Sequence, residues 1–330
     1  MLLVGDIGGT KTLLGFCEPL SPRPIIHHVQ RFSTLDYHSL EDLLSVFLRT
    51  SSNVLTLEAA ILGVAGPVRN NASALTNVPW HVDASQLSKE FRIPEVYVLN
   101  DLVAMGYAVP VLSSDELSIV HAGRPDPNGN NALIAPGTGF GEITLVRVGD
   151  QLIPVASEAG HADFAARTPL EKNLLEFLKS KSDRISNEHV LSGPGLTSIH
   201  QFTHSDSACA VFGQVKKPKD FPAAIIETAL AKGCKYCVNA HKLFVGALGA
   251  EAGNHGLRSL ATAGIYIGGG MASRILPALR SPIFLNAFRE KRQLEELVTS
   301  MPITVITTPY PVLIGASVVA RNLVQKDPSD

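Results

Sequence analysis

Residues 4–16 read VGDIGGTKTLLGF, and residues 134–146 read IAPGTGFGEITLV. Each is an apolar run, a glycine-rich turn and a second apolar run, the pattern of a strand, a tight turn and a strand. Its return in the middle of the chain predicts an internal duplication of one hairpin. Around the first copy the pattern alternates between strand and helix. SLEDLLSVFLRTS (39–51) carries Leu40, Leu43, Leu44, Phe47 and Leu48 at helical spacing. EAAILGVAGPV (58–68) is a strand ending at Gly66-Pro67, DASQLSKEF (83–91) is a helix with an aspartate cap, and EVYVLN (95–100) is a strand. The first hundred residues therefore predict β-β-α-β-α-β, an α/β sheet whose strand order the sequence leaves open.

A second unit is predicted from about residue 131. It runs strand, glycine turn, strand, turn, strand over 131–160. Helical stretches follow at 169–181, 187–203 and 222–253, the last interrupted at Gly233. IYIGGGMASRILP (265–277) passes from strand through a glycine turn into a helix, PITVITT (302–308) is a last strand, and 312–325 is a last helix. The loop-rich stretch 110–130 is the best boundary. The expected small domain is 1–111 plus about 303–330, and the large one is 112–302.

With 45% hydrophobic and 18% charged residues over 330 positions, the chain can bury a sizeable core and disorder is not expected. The net charge of −2 and the lack of a basic run point away from nucleic acid. The opening MLLVGDIGGT is not a signal peptide, and no apolar run is long enough for a membrane span. Four cysteines suit a reducing cytoplasm better than a disulfide scaffold. Cys234 and Cys237 form a CxxC in a helical stretch with no second ligand pair visible at suitable spacing. They read as one buried helix face.

Three glycine turns draw attention: Gly8-Gly9-Thr10, Gly137-Thr138-Gly139 and Gly268-Gly269-Gly270. Such turns let backbone N–H groups approach phosphate oxygens, and they also make plain hairpins. The spacing fits neither a P-loop nor a dinucleotide fingerprint, because the first two turns lead into strands. What remains is a nucleotide whose phosphates lie against two hairpins, with the third turn, before a helix, for the nucleoside. LNDLVA (99–104) places a carboxylate, Asp101, where a strand ends and a helix starts. Ligands of α/β folds bind at strand ends. Asp101 is either a helix cap, a proton acceptor, or both. Lys11, beside the first turn, is either a phosphate contact or a solvated hairpin residue.

GDIGGTKT, LNDLVA, APGTGFGEI, SEAGHADFA, NEHVLSGPGL and IYIGGGMASRILP occur in that order. Together, from residue 2 to about 320, they closely resemble the bacterial ATP-dependent glucokinases of the hexokinase group, in the sugar kinase, actin and Hsp70 superfamily. The resemblance implies a two-domain α/β ATPase fold of the ribonuclease-H-like actin/hexokinase type, with an interdomain cleft for glucose and ATP. It implies Mg²⁺ with the nucleotide, faced by Asp6 through water, and Gly8, Gly9 and Thr10 along the phosphates. Gly137, Thr138 and Gly139 would form the second phosphate turn, and Gly268, Gly269 and Gly270 would border the nucleoside. Asn100, Asp101, Glu158, His161 and Glu188 match the sugar-binding positions, and Asp101 matches the catalytic base. A homodimer is the expected assembly.

Read as residues alone, Glu158 and His161 are three apart, so one turn can aim both at a hydroxyl-rich ligand. Glu188 is either a sugar ligand or the start of a helix capped by Ser186 or Asn187. Asp163 reads as structural, orienting His161. Relatives in the wider group carry a cysteine-rich zinc motif after ExGH, and EAGHADFAARTPLEKNLL has no cysteine. That places the chain in the branch without zinc, so no stoichiometric zinc is expected. The rivals are a kinase for another hexose (fructose, mannose or an N-acetylated amino sugar), a sugar-responsive repressor and an actin- or chaperone-like ATPase. The repressor needs a helix-turn-helix before the first hairpin, which here begins at residue 2. The ATPase lacks a reason for NDL, EAGH and NEH.

Overall fold

A computed structural model of the chain describes residues 1–18, 23–51, 56–75, 78–205, 207, 209, 211, 215 and 217–324. It divides into two units. One comprises Met1–Ser113, Leu152–Ala156 and the chain from Thr308, and the other comprises Ser114–Gln151 and Ser157–Thr307.

The first unit contains β1 (Leu2–Ile7), β2 (Lys11–Glu18), β3 (Ile25–Ser33), α1 (Leu40–Thr50), β4 (Ala59–Val64), the ribbon β5 (Ala72–Ala74) and β6 (His81–Asp83), α2 (Ala84–Phe91), β7 (Glu95–Asn100) and α3 (Asp101–Ala108). Its main sheet has the order β3-β2-β1-β4-β7. Successive side chains of a strand face opposite ways. Leu3, Leu14, Leu62 and Val98 thus meet Leu43 and Phe47 of α1 in one core. Val4, Leu13 and Ile61 meet Leu313, Ala316 and Ala320 of the helix Pro311–Val324 in another. Each such fully buried leucine contributes about 1.5–3 kcal/mol. The register decides where function can sit. Ile7 aligns with Val64 and Val64 with Asn100 across parallel strands, so β1, β4 and β7 end in one row. The first glycine turn and the Asn100-Asp101 step therefore lie at the same end of the sheet, with the end of β4 between them.

The second unit contains β8 (Leu117–His121), β9 (Asn131–Pro136), β10 (Phe140–Val148), β12 (Gly264–Ile267) and β13 (Ile303–Ile306), in the order β10-β9-β12-β13-β8. The strand between, β11 (Gln151–Val155), falls mostly in the segment that groups with the first unit. Both units repeat one scheme. An antiparallel hairpin (β1 with β2, β9 with β10) is continued by two parallel strands, β4 and β7 or β12 and β13. β13 pairs with β12, so the chain leaves this unit after Thr307 rather than at about 303.

The sequence pattern does not mark the short ribbon β5 and β6, nor β3 and β8, and the last two have one cause in common. β8 pairs only with β13, at the edge of the second sheet, and β3 is the outer neighbour of β2. Edge strands bury less and lack the apolar run that marks an inner strand. The predicted helix 187–203 also divides, into α5 (Glu188–Leu191) and α6 (Gly193–His204), after α4 (Pro169–Lys179). Ser192 caps α6 by accepting from the Gly195 N–H at 3.0 Å, with Pro194 in its first turn. The long apolar stretch after 221 forms helices Phe221–Leu230 and Lys235–Ser259 on either side of Gly233. The second is largely buried, and near its end Arg258 joins the buried carboxylates Glu142 and Glu251, while the His255 Nε2 lies 2.8 Å from the Ile143 carbonyl. These contacts hold β10 in place.

Candidate active site

In the first unit the turn after β1 closes on itself. The Gly8 N–H donates to the Lys11 carbonyl at 3.0 Å, and the Thr34 hydroxyl donates to the Gly8 carbonyl at 2.7 Å. A Cβ on Gly8 would stand 2.9 Å from that Lys11 oxygen, which explains the glycine. Gly8 thus shapes the turn, and Gly9 and Thr10 form its tip. Asp6, two residues before, is at the end of β1. Burial pushes its carboxyl up to about 6, against the pull of Lys11. Lys11 therefore acts electrostatically on Asp6.

A raised carboxyl pKa means that the folded chain holds this proton more tightly than the unfolded one. The associated stability is present below the model-peptide value of 3.8 and is lost as pH rises to about 6. Asp6→Asn is accordingly expected to raise the melting temperature at pH 7.5, by an amount equivalent to at most ~3 kcal/mol, and to leave it unchanged near pH 4. The same variant is expected to lose activity. A melting temperature lower than wild type at pH 7.5 would contradict the electrostatic reading.

The strand-to-helix step at 100–101 separates two jobs. Asn100, not Asp101, is the cap: its Oδ1 accepts from the N–H groups of Leu102 at 3.0 Å and Val103 at 3.2 Å, and its Nδ2 donates to the Gly66 carbonyl at 3.2 Å. Asp101 is the first residue of α3, half-buried, with its Oδ1 accepting from the Leu102 N–H at 2.8 Å. Behind it the helix Pro311–Val324 presses on α3. A Cβ on Gly315 would fall 1.6 Å from the Ala104 carbonyl oxygen.

In the second unit three segments converge on one peptide, Gly139–Phe140. The Gly137 N–H donates to the Gly139 carbonyl at 2.8 Å, closing the second turn. The Phe140 N–H donates to Glu188 Oε2 at 2.9 Å. Gly160 lies so close to the Phe140 carbonyl that a Cβ would stand 1.8 Å from its oxygen. The Gly193 N–H, the first of α6, donates to the Gly137 carbonyl at 2.8 Å. The third turn adjoins the second: the Gly268 N–H donates to the Ile134 carbonyl at 2.8 Å, and Gly269 has φ +83 with a Cβ position 2.6 Å from the Pro136 oxygen. Only glycine fits there.

Glu158 and His161 occupy one 3₁₀ turn, with the His161 N–H donating to the Glu158 carbonyl at 3.0 Å, and both side chains are exposed. The turn is anchored by the Ser157 hydroxyl, which donates to the Glu142 carbonyl at 2.9 Å. Asp163 supports the turn indirectly. Its Oδ1 accepts from Arg184 Nε at 2.6 Å, and Arg184 Nη2 donates to the His161 carbonyl at 3.0 Å. Arg184 is not legible in the sequence, because nothing near residue 184 signals a partner twenty residues earlier. Glu188 starts α5, but not through the caps that the sequence suggests. Ser186 does not cap α5 but pairs with His189 Nδ1 at 2.8 Å, Asn187 makes no capping bond, and the Glu188 carboxylate reaches back to Phe140.

The glucokinase family model matches residues 3–323. The chain belongs to the glucokinase family. A glucokinase of Nostoc sp. is 37% identical over 341 residues, covering 98% of this chain and 99% of the relative. The crystal structure of a glucokinase from an Antarctic psychrotroph superposes with a TM-score of 0.81 at 31% identity, covering 97% and 98% of the two chains. A ROK-family glucokinase from Streptomyces griseus, solved with glucose and AMPPNP, shares the fold at a TM-score of 0.67 and 18% identity, covering 97% and 99%.

Proposed function

We propose that this chain transfers the γ-phosphoryl group of ATP to the 6-hydroxyl of D-glucose, giving ADP and glucose 6-phosphate and so feeding glycolysis. Family membership supports the reaction. The observation that carries the mechanism is the division of labour at residues 100–101: Asn100 satisfies the helix N-terminus, so the Asp101 carboxylate is held in a fixed direction without being needed as a cap. In this reading Asp101 accepts the hydroxyl proton while the 6-oxygen bonds to the γ-phosphorus and the bond to the bridging oxygen of ADP breaks. Glu158, His161 and Glu188 read the ring hydroxyls. Because Gly8 and Gly137 spend their N–H groups closing the turns, the tips Gly9-Thr10 and Thr138-Gly139 are the parts that face phosphates. Gly268, Gly269 and Gly270 border the nucleoside.

Mg²⁺ fits this donor set. Asp6 is a desolvated carboxylate at a strand end, and Mg²⁺ is ordinarily held by one or two carboxylates plus substrate phosphates and water. When bound it would neutralise phosphate charge. Asp6 would orient it through water. We place the activity in the cytoplasm, in line with the cysteine content, and expect a homodimer in sedimentation. Among the described residues no helix is long and apolar enough to cross a membrane.

A coupled assay across glucose, fructose, mannose, galactose and N-acetylglucosamine tests the substrate, and glucose should give the highest kcat/KM. Glu158→Gln is expected to raise the KM for glucose by at least ~10-fold, the loss of one charge-assisted hydrogen bond, with the KM for ATP little changed. A change confined to ATP would show that the sugar and nucleotide residues are assigned the wrong way round.

A further inference from the structure

We propose that His200, His204, Cys209 and Cys237 form a closed structural zinc site in the second unit, with Cys234 beside it. The sequence reading treats Cys234 and Cys237 as one buried helix face because no second ligand pair is in view, and it expects no stoichiometric zinc because the stretch after EAGH lacks cysteine; the proposal reverses that expectation at a different place in the chain. The structure supplies that pair. His200 and His204 lie four apart on α6 and so share one face, with their rings stacked at 3.7 Å between centroids. Cys234 immediately precedes the helix Lys235–Ser259 and Cys237 is in its first turn. Cys209 comes from the segment between the helices. One ligand atom from each of His200, His204, Cys209 and Cys237 lies within 4.8 Å of all the others.

The separations suit a tetrahedral ion. Zinc bonds of about 2.3 Å to sulfur and about 2.0 Å to nitrogen put tetrahedral ligand atoms about 3.3–3.8 Å apart. Here His200 Nε2 to Cys209 Sγ is 3.3 Å, Cys209 Sγ to Cys237 Sγ is 3.7 Å and Cys237 Sγ to His204 Nε2 is 3.9 Å. Cys234 Sγ stands 3.4 Å from the same His204 nitrogen. The His204 Nδ1 lies 2.8 Å from the His200 carbonyl, and donating its proton there leaves Nε2 as the lone-pair atom that faces the sulfurs. Two thiols and two imidazoles select zinc over a hard ion such as Mg²⁺, and four protein ligands leave no open position for catalysis. His200, His204 and Cys237 are almost fully buried. The ion would pin the end of α6, whose first residue holds the Gly137 carbonyl, to the start of the long buried helix.

The test uses the full-length chain with any purification tag removed, grown with added zinc and dialysed against a chelator under reducing conditions. Elemental analysis is expected to find about one zinc per chain. Displacement of zinc by a mercurial and loading with Co²⁺ are expected to give the thiolate-to-cobalt charge-transfer band and the visible spectrum of a tetrahedral site. Cys209→Ser and His204→Ala should lose the zinc, while Cys17→Ser, in the other unit, should keep it. Zinc removal should lower the melting temperature of the wild type and not of Cys209→Ser. Wild-type protein that binds neither zinc nor cobalt overturns the proposal whatever the variants do. So does a Cys209–Cys237 disulfide, seen as a mass two hydrogens lower, that persists while no metal binds after reduction.

Discussion

Replacing Asp101 by asparagine is expected to lower kcat by ~10²–10⁴-fold while leaving the melting temperature and the dissociation constant for glucose close to wild type. The reason is local. Asparagine keeps the size of the side chain and can still accept from the Leu102 N–H, and the cap of α3 is supplied by Asn100 in either case. What asparagine lacks is a site for the hydroxyl proton. Asn100→Ala separates the two roles from the other side. It removes the cap, costs about 1 kcal/mol of stability, and loosens the direction in which Asp101 is held. Stopped-flow or coupled kinetics with a thermal melt on both variants decide the matter. An Asp101→Asn enzyme with wild-type kcat leaves the base unassigned.

Gly315→Ala is expected to be the most damaging single methyl in the first unit. Its Cβ would lie 1.6 Å from the Ala104 oxygen, 2.6 Å from the Ala104 carbonyl carbon and 3.1 Å from the Ala108 nitrogen. All three are backbone atoms of α3, so no rotamer relieves the clash and the two helices must separate. Overpacking of this kind costs about 3 kcal/mol or more, which lowers the melting temperature by roughly 2–4 °C for each kcal/mol. Because α3 begins at Asp101, the separation also displaces the carboxylate, and ~1 Å there costs ~100-fold in rate. Gly246→Ala is the control. Its Cβ would meet only Ile283 Cγ2 at 3.6 Å, and alanine is the better helix former, so this variant should be as stable as wild type or slightly more so. Equal melting temperatures for Gly315→Ala and wild type would refute the packing argument.

The repeated hairpin is legible because a glycine turn between apolar runs is a local pattern. β3 and β8 are not legible, because an edge strand needs only one apolar side and theirs is broken by histidine and serine. Asp101 stands out in the sequence, but its relation to Asn100 does not, since two adjacent residues that can both cap a helix look equivalent until the bonds are drawn. The role of Asp163 runs through Arg184, and Glu188 reaches a peptide roughly fifty residues earlier. Such long-range pairs leave no trace in spacing. The His200–His204 and Cys234–Cys237 pairs are each visible. Roughly thirty residues separate them, beyond the spacing of familiar zinc motifs, so only the packing of α6 on the long helix brings them together.

The peptide between Gly139 and Phe140 imposes a constraint on anyone who would redesign this protein. Its carbonyl side is crowded by the EAGH turn and its N–H is held by Glu188, while the preceding turn faces phosphates in the proposed enzyme. Sugar preference and nucleotide affinity are then not independent dials. A substitution at Glu188 meant to admit a different hexose will also shift the phosphate turn, and paired changes at 188 and 138 should be strongly non-additive. Directed evolution toward a new sugar has more freedom at Glu158 and His161, whose exposed side chains project from a turn held by Ser157 and Arg184 rather than by either of them.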